Sequence, residues 1–130
     1  MFLDTSGLFS FVDSSNAHFA QASALYDGAT VRLTHNYVLA ELVPLAHVRK
    51  VPRRRTLEFL EALEASQAVE IVWVSAELHR AGRELLIAQL DKQYFLCDAV
   101  SFLLMRQRMI LEALTTDRHF EQAGFVRLLK

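Results

Sequence analysis

The sequence is poor in several features that would assign it to a specialised class of protein. One cysteine in 130 residues excludes an internal disulfide framework and is typical of a chain in a reducing compartment. The longest strongly apolar stretch, around residues 102–105, is far too short to span a bilayer, and the start of the chain lacks the basic region of a signal peptide. We therefore expect a soluble, cytoplasmic protein without a membrane partner.

An excess of charge of either sign is also missing. The formal net charge of −1 provides no overall attraction to nucleic acid or to a membrane, so a polyanion would need a local patch or a bridging metal ion. Repeats, low-complexity segments and linkers are absent, and a chain of 130 residues is most simply one domain, residues 1–130. With 52% hydrophobic and 22% charged residues, the chain can build a substantial core.

Short apolar segments alternate with longer amphipathic ones along the chain. The apolar segments predict five strands, at about 1–4, 31–34, 69–74, 111–115 and 125–129. Helical spacing predicts helices between them, including one capped by Asn36 and interrupted by Pro44, one capped by Ser75, and an almost wholly apolar one from Asp98 to about Met109. This alternation predicts an α/β fold, with a short and mainly parallel sheet covered on both faces.

Four acidic residues occupy unusual positions in this pattern. Asp4 and Asp117 end predicted strands, Asp98 begins the apolar helix, and Glu41 lies inside an apolar run. Taken singly, each could cap a helix, open a turn or face solvent. Ligands bind beyond the carboxyl ends of parallel strands, however, and an ionised carboxylate beside a core is costly unless it is paired or bound. Together the four acids predict one acidic pocket.

A pocket of converging carboxylates needs a positive charge or bound protons. Two unit charges about 4 Å apart at an effective dielectric of about 20 interact by roughly 4 kcal/mol. Oxygen ligands without a cysteine or histidine cluster favour Mg²⁺ or Mn²⁺ over Zn²⁺, and such an ion is suited to phosphate chemistry. The five histidines show no metal-ligand spacing, and only His119 is close enough to Asp117 in sequence to be considered for substrate contact.

The segments around these acids resemble the four motifs of PIN-domain ribonucleases, above all those of small VapC-type toxins. The matching segments follow one another along the whole chain: Phe2–Ser6, Thr34–Glu41, Asp98–Phe102, and Thr115–Phe120 with Gly124 and Phe125. The resemblance implies a PIN-like three-layer α/β/α fold. It also implies that the catalytic residues and ligands of Mg²⁺ or Mn²⁺ are Asp4, Glu41, Asp98 and Asp117. The supporting polar lining that it implies comprises Thr5, Ser6, Ser101 and Thr115.

Two positions depart from the family pattern. Many relatives have a further acid where this chain has Ser101, so a second metal site is expected to be poorer or absent. Cys97 stands where a hydroxyl residue is frequent, which alters the hydrogen bonds available around the ligands. Neither departure removes a primary ligand.

The function implied by the resemblance is that of a metal-dependent endoribonuclease. The chain would be the toxin of a toxin–antitoxin pair, with RNA as substrate, a small antitoxin protein as partner and a homodimeric assembly. A PIN nuclease of housekeeping RNA processing and a non-catalytic PIN-like binding module remain alternatives. An aspartyl-nucleophile hydrolase is disfavoured because Ser6 stands where its second aspartate is usual, and a receiver domain because Ser75 follows the predicted middle strand.

The only dense basic cluster flanks Pro52 and comprises Arg49, Lys50, Arg53, Arg54 and Arg55. It can be interpreted as a solvated helix junction. It can also be interpreted as a contact with the RNA backbone, chiefly through Arg53, Arg54 and Arg55, if it lies beside the acidic pocket.

Overall fold

The computed structural model describes all 130 residues as five strands and seven helices. The strands are β1 (Phe2–Leu3), β2 (Leu33–His35), β3 (Glu70–Val72), β4 (Glu112–Leu114) and β5 (Val126–Arg127). The helices are α1 (Thr5–Val12), α2 (Phe19–Gly28), α3 (Asn36–Val48), α4 (Arg53–Ala65), α5 (Ala76–Ala88), α6 (Leu96–Gln107) and α7 (Arg118–Gln122). None of the helices combines the length and the hydropathy that a membrane span requires.

All five strands are parallel and lie in the order β3-β2-β1-β4-β5. The central strand is β1, in which Phe2 pairs with Leu33 on one side and with Ala113 on the other. Parallel strands present their carboxyl ends at one edge, so the residues that follow β1 and β4 become neighbours. The predicted α/β fold with a parallel sheet is confirmed, although the strands are shorter than the apolar segments that predicted them.

The helices form two groups, α1 to α4 and α5 to α7, whose members pack against one another around the sheet. The apolar helix α6 is central, as predicted, and its residues from Cys97 to Met105 are all buried except Leu103. The Phe102 ring lies 5.1 Å from that of Phe120 and 5.6 Å from that of Phe125, measured between centroids. This aromatic contact joins α6 to the chain that follows β4.

Helix α1 approaches β4 so closely that only glycine fits at one position. A Cβ atom added to Gly7 would overlap the backbone carbonyl of Leu114. The missing side chain lets the first turn of α1 lie directly against the end of β4. Asp4, immediately before α1, is thereby brought to the residues that follow β4.

Two predicted helix starts are wrong in detail. Helix α6 begins at Leu96, so Asp98 lies in its first turn rather than at its cap. The predicted cap Asn36 does not cap α3, because its side-chain oxygen accepts a hydrogen bond from the backbone N–H of Val74, at 2.6 Å. By contrast, Ser75 caps α5 as predicted, and its hydroxyl accepts the N–H of Leu78 at 3.1 Å.

Candidate active site

The structure brings the four predicted acids together in one open cavity of about 370 Å³ at the carboxyl edge of the sheet. Each acid arrives from a different part of the chain, after β1, from α3, from α6 and after β4. No lysine or arginine lines this cavity, which we call the acidic pocket. Its lining residues are Asp4, Thr5, Ser6, Glu41, Pro44, Leu45, Phe95, Asp98 and Asp117.

Asp4 is held at the bottom of the acidic pocket, where it is 6% exposed. It precedes α1, but its side chain makes no capping bond to that helix. Instead, the Thr115 hydroxyl donates a hydrogen bond to Asp4 Oδ2 at 2.6 Å. Burial raises the pKa of Asp4 from 3.8 to about 7, against the opposing effect of the Thr115 hydrogen bond, and the charges of Asp98 and Asp117 raise it further.

Asp98 faces the same space from the first turn of α6. Its Oδ2 accepts the backbone N–H of Phe95 at 2.8 Å, which fixes the carboxylate relative to the helix. Burial raises the pKa of Asp98, the Phe95 hydrogen bond lowers it, and the nearby Asp117 charge raises it. Two buried carboxyl groups with raised pKa values indicate a site that favours bound protons or a bound cation.

Asp117 caps the short helix α7, and its Oδ1 accepts the backbone N–H of His119 at 2.9 Å. The imidazole of His119 lies beside two of these acids, with Nδ1 3.4 Å from Asp98 Oδ2 and 3.4 Å from Asp117 Oδ2. The sequence analysis considered His119 only as a contact to substrate. Its place among the acids depends on the turn of α7, and the only available signal was its spacing of two residues from Asp117.

Glu41 occupies the open side of the acidic pocket and is exposed, although it lies within an apolar run in the sequence. Its Oε2 accepts a hydrogen bond from the Thr5 hydroxyl at 3.2 Å. Ser6 accepts the backbone N–H of Thr116 at 3.0 Å and lies 3.1 Å from the hydroxyl oxygen of Thr115. Thr5, Ser6 and Thr115 are thus found beside the acids, where the resemblance placed them.

Ser101 does not belong to this lining. It is fully buried about one helical turn beyond Asp98, where its hydroxyl oxygen lies 2.8 Å from His35 Nε2 and donates to the Cys97 carbonyl at 2.8 Å. At the position where the family resemblance implies a further acid, this chain therefore has a serine that bonds within the core. Cys97 is buried too, and burial raises the pKa of its thiol, with a further increase from Glu41.

The basic cluster does not border the acidic pocket either. None of Arg53, Arg54 and Arg55 lines it, and Arg53 lies instead in a small cleft with His47 and Val51. Asp13, at the end of α1, has a pKa lowered mainly by its hydrogen bonds with Ser15 and also by the charge of Arg55. Because α1 separates Asp13 from Asp4 by eight residues, or about 12 Å, the cluster lies towards the far end of that helix.

The side chains of the acidic pocket fit a hard divalent cation. Ligand atoms of Asp98, Asp117 and His119 all lie within 4.8 Å of one another, and the Nδ1 atom of His119 is buried without a hydrogen-bond partner. Carboxylate oxygens are the ligands that Mg²⁺ and Mn²⁺ prefer. Since no lysine or arginine offsets the carboxylates, a cation would relieve their repulsion and satisfy the free nitrogen together.

Comparison with known proteins identifies the family. Residues 1–126 match the family model described as the PIN domain. The chain belongs to the PIN domain family. This PIN domain is 30% identical over 129 residues to the 23S rRNA-specific endonuclease VapC20 of Mycobacterium tuberculosis, in strains CDC 1551 / Oshkosh and ATCC 25618 / H37Rv, across 98% of this chain and 97% of the relative.

The likeness extends to the three-dimensional structure. The crystal structure of Mycobacterium tuberculosis VapC20, described as a sarcin–ricin loop cleaving toxin, matches this PIN domain with a TM-score of 0.87 and 29% identity, and covers 99% of this chain and 98% of that one. The predicted resemblance, the α/β/α fold and the enzyme class, an endoribonuclease of the VapC type, are confirmed.

Proposed function

We propose that this PIN domain is the toxin of a toxin–antitoxin pair and cleaves RNA at the acidic pocket with Mg²⁺ or Mn²⁺. The observation that carries the proposal is the convergence of Asp4, Glu41, Asp98 and Asp117 in a cavity without a basic side chain. The full-length likeness to VapC20 supports the same activity. The domain of residues 1–130 acts as one unit.

The proposed substrate class is a structured loop of ribosomal RNA. VapC20 is named for its action on 23S rRNA and described as cleaving the sarcin–ricin loop. The match covers nearly the whole of both chains and therefore every element that contributes to the acidic pocket. A loop also suits an open pocket, because unpaired nucleotides can be splayed away from a helix.

In the proposed mechanism the four carboxylates would bind the cation, and neighbouring groups orient the carboxylates through hydrogen bonds. A divalent cation held there would supply positive charge for the phosphodiester and would lower the pKa of an attacking water molecule. The Thr115 hydroxyl orients Asp4, and the Phe95 backbone N–H orients Asp98. Glu41, on the open side, keeps its position through the Thr5 hydroxyl. These fixed hydrogen bonds preorganise the ligands before substrate arrives.

The decisive experiment is cleavage of an RNA oligonucleotide that carries the sarcin–ricin loop, beside a mixed RNA pool. The purified chain is incubated with Mn²⁺, with Mg²⁺ or with EDTA, next to Asp4→Ala and the matched control Asp91→Ala. Asp91 is a surface acid whose side chain is 77% exposed. Metal-dependent cleavage that Asp4→Ala loses and Asp91→Ala keeps supports the proposal. Absence of cleavage in all conditions, without a metal-induced rise in Tm, contradicts it and favours a binding module.

The proposal includes a small antitoxin protein, a homodimeric assembly and a cytoplasmic location. Large apolar side chains such as Trp73, Leu90 and Met109 are more than 60% exposed and suit contacts with other protein chains. Light scattering of the purified chain, with and without a co-expressed antitoxin, measures both associations. A mass of one chain at micromolar concentration would contradict the homodimer.

The proposal also keeps Arg53, Arg54 and Arg55 as candidate contacts to the RNA backbone. Their distance from the acidic pocket means that they would contact nucleotides well away from the scissile bond. Replacing all three by glutamine should weaken RNA binding for every sequence and reduce its salt dependence. Unchanged binding across a salt titration would identify the cluster as a solvated helix junction.

A further inference from the structure

We propose that His119 is an additional ligand of the cation, through Nδ1, and that it makes the acidic pocket prefer Mn²⁺ to Mg²⁺. The inference rests on the proposed metal site and concerns one atom that the four-carboxylate assignment leaves unused. It adds a nitrogen to a set of oxygen ligands.

The geometry around Nδ1 is that of a ligand set. Nδ1 lies 3.4 Å from Asp98 Oδ2 and 3.4 Å from Asp117 Oδ2, so it is equidistant from oxygens contributed by α6 and by the start of α7. Neighbouring ligands of one ion, each at about 2.1 Å from it, lie roughly 3 Å apart. The three atoms can therefore meet a shared cation with shifts of a fraction of an ångström.

The Nδ1 atom also lacks any other role. It is one of only three buried side-chain nitrogen or oxygen atoms in the protein without a hydrogen-bond partner, together with His35 Nδ1 and Thr56 Oγ1. Neither carboxylate contact meets the geometry of a hydrogen bond. A buried polar atom that is aimed at two carboxylates and bonded to neither is explained by a group that binds all three.

The imidazole ring is held in place by its surroundings. Its backbone N–H donates to Asp117 Oδ1 at 2.9 Å, so the residue is fixed to one of the proposed ligands. The ring meets the Tyr94 ring edge-on, with centroids 5.5 Å apart, and Tyr94 in turn packs edge-on against Phe102 in the core at 5.0 Å. A residue that is fixed at its backbone and whose ring packs against Tyr94 is preorganised for ligation.

The chemical consequence is a change in metal preference. Carboxylates and water suit Mg²⁺ and Mn²⁺ alike, whereas imidazole is a common ligand of transition metals and a poor one for Mg²⁺. Removing His119 should therefore reduce Mn²⁺ affinity much more than Mg²⁺ affinity. The competing arrangement is a protonated His119 paired with Asp98 and Asp117. That arrangement predicts the opposite sign, because removing an internal cation would strengthen the binding of both metals.

The test compares the parent chain, His119→Phe, His119→Gln and the control His47→Phe. His47 is an exposed histidine of α3 outside the acidic pocket. Isothermal titration of each protein with Mn²⁺ and with Mg²⁺, in the absence of RNA, should show that both His119 variants lose about tenfold or more in Mn²⁺ affinity. Their Mg²⁺ affinity should change by less than about threefold on the same scale. The glutamine variant is the safeguard if phenylalanine disturbs folding.

Electron spin-echo measurements on bound Mn²⁺ provide a direct second readout. A ¹⁴N modulation from a coordinated imidazole should be present in the parent and in His47→Phe and absent from both His119 variants. A parent spectrum without this modulation, an equal loss of both metals, or tighter binding in the variants would each overturn the inference.

These outcomes separate the inference from the proposed function. Mn²⁺ bound with a nitrogen signal in a chain that cleaves no RNA would refute the nuclease and leave the His119 ligand standing. RNA cleavage with Mn²⁺ bound only by oxygens would refute the His119 ligand and support the nuclease. A chain that binds neither metal would refute both.

Discussion

Asp4 and Thr115 are 111 residues apart in sequence and are joined by a 2.6 Å hydrogen bond from the threonine hydroxyl to the carboxylate. The bond connects the residues that follow two adjacent strands, β1 and β4. The same hydroxyl oxygen accepts the backbone N–H of Asp117 at 3.0 Å. One buried side chain therefore holds both strand-end acids in their relative positions.

Thr115→Val should weaken the site while nearly preserving its shape. Valine keeps the β-branched volume but leaves the Asp117 N–H and the Asp4 carboxylate without this partner. We expect a loss of about 1 to 3 kcal/mol in the free energy of unfolding. We also expect RNA cleavage to fall about 10-fold to 100-fold. Thr115→Ser, which restores the hydroxyl, should recover most of both; an inactive serine variant would contradict the assigned role.

Asp4→Asn should stabilise the metal-free protein at alkaline pH. The pKa of Asp4 is raised to about 7 in the folded state, so its contribution to stability is present below its unfolded value of 3.8 and is lost as pH rises through about 7. The difference between these two pKa values destabilises the folded protein by roughly 4 kcal/mol above pH 7, where Asp4 is ionised. In EDTA, the Tm of Asp4→Asn should exceed that of the parent by a margin that grows between pH 4 and pH 8.

Metal supplies the control for this prediction. Mn²⁺ should raise the Tm of the parent at pH 8 and have much less effect on Asp4→Asn, because the variant lacks one charged ligand. A variant that is less stable than the parent in EDTA at pH 8 would show that the ionised Asp4 is already compensated by the protein itself.

Ser101→Ala distinguishes a structural role of Ser101 in the core from a role in the acidic pocket. The Ser101 hydroxyl bonds to His35, which is fully buried, and is not part of the acidic pocket. The variant should lose about 1 to 3 kcal/mol of stability, since His35 Nε2 would be left without a partner. Cleavage at temperatures well below the Tm should be unchanged. A large fall in the cleavage rate of the folded variant would show that Ser101 contributes to the active site after all.

Gly7→Ala should be among the most damaging single-methyl additions to this chain. Its Cβ would overlap the Leu114 carbonyl, so α1 would have to move away from β4 and carry Asp4 with it. We expect a loss of several kcal/mol together with cleavage activity. Gly28→Ala is the matched control, because a Cβ there meets nothing within 4 Å. Equal stability of the two variants would contradict the close packing of α1 on β4.

The parts of the fold that follow from periodicity could be predicted from the sequence. The apolar residues after Cys97 carry their burial in their own pattern, whereas the β-branched segment before Ser75 forms the predicted strand but stays partly exposed. The convergence of Asp4 with Asp117 followed from one general property of parallel sheets, that their strands end at a common edge.

What could not be predicted depends on side-chain direction and on contacts between distant segments. Ser101 is one helical turn from Cys97, and only the position of β2 decides that it meets His35 rather than the pocket. Glu41 lies in an apolar run, yet its side chain is on the exposed side of α3. The apolar residues next to it in the sequence do not reveal that orientation. His119 lies beside Asp98 because α7 begins directly after Asp117 and turns the imidazole towards α6, an orientation that its spacing from Asp117 does not specify.

The central position of β1 has a consequence for synthesis on the ribosome. The first strand pairs on one side with residue 33 and on the other side with residues 113 and 114, which are synthesised much later. Long-range parallel pairing of this kind is slow and completes late. A growing chain therefore carries Asp4 without its partners, and a chain released prematurely has no assembled acidic pocket. The complete set of pocket acids is therefore available only after residue 117 has been synthesised.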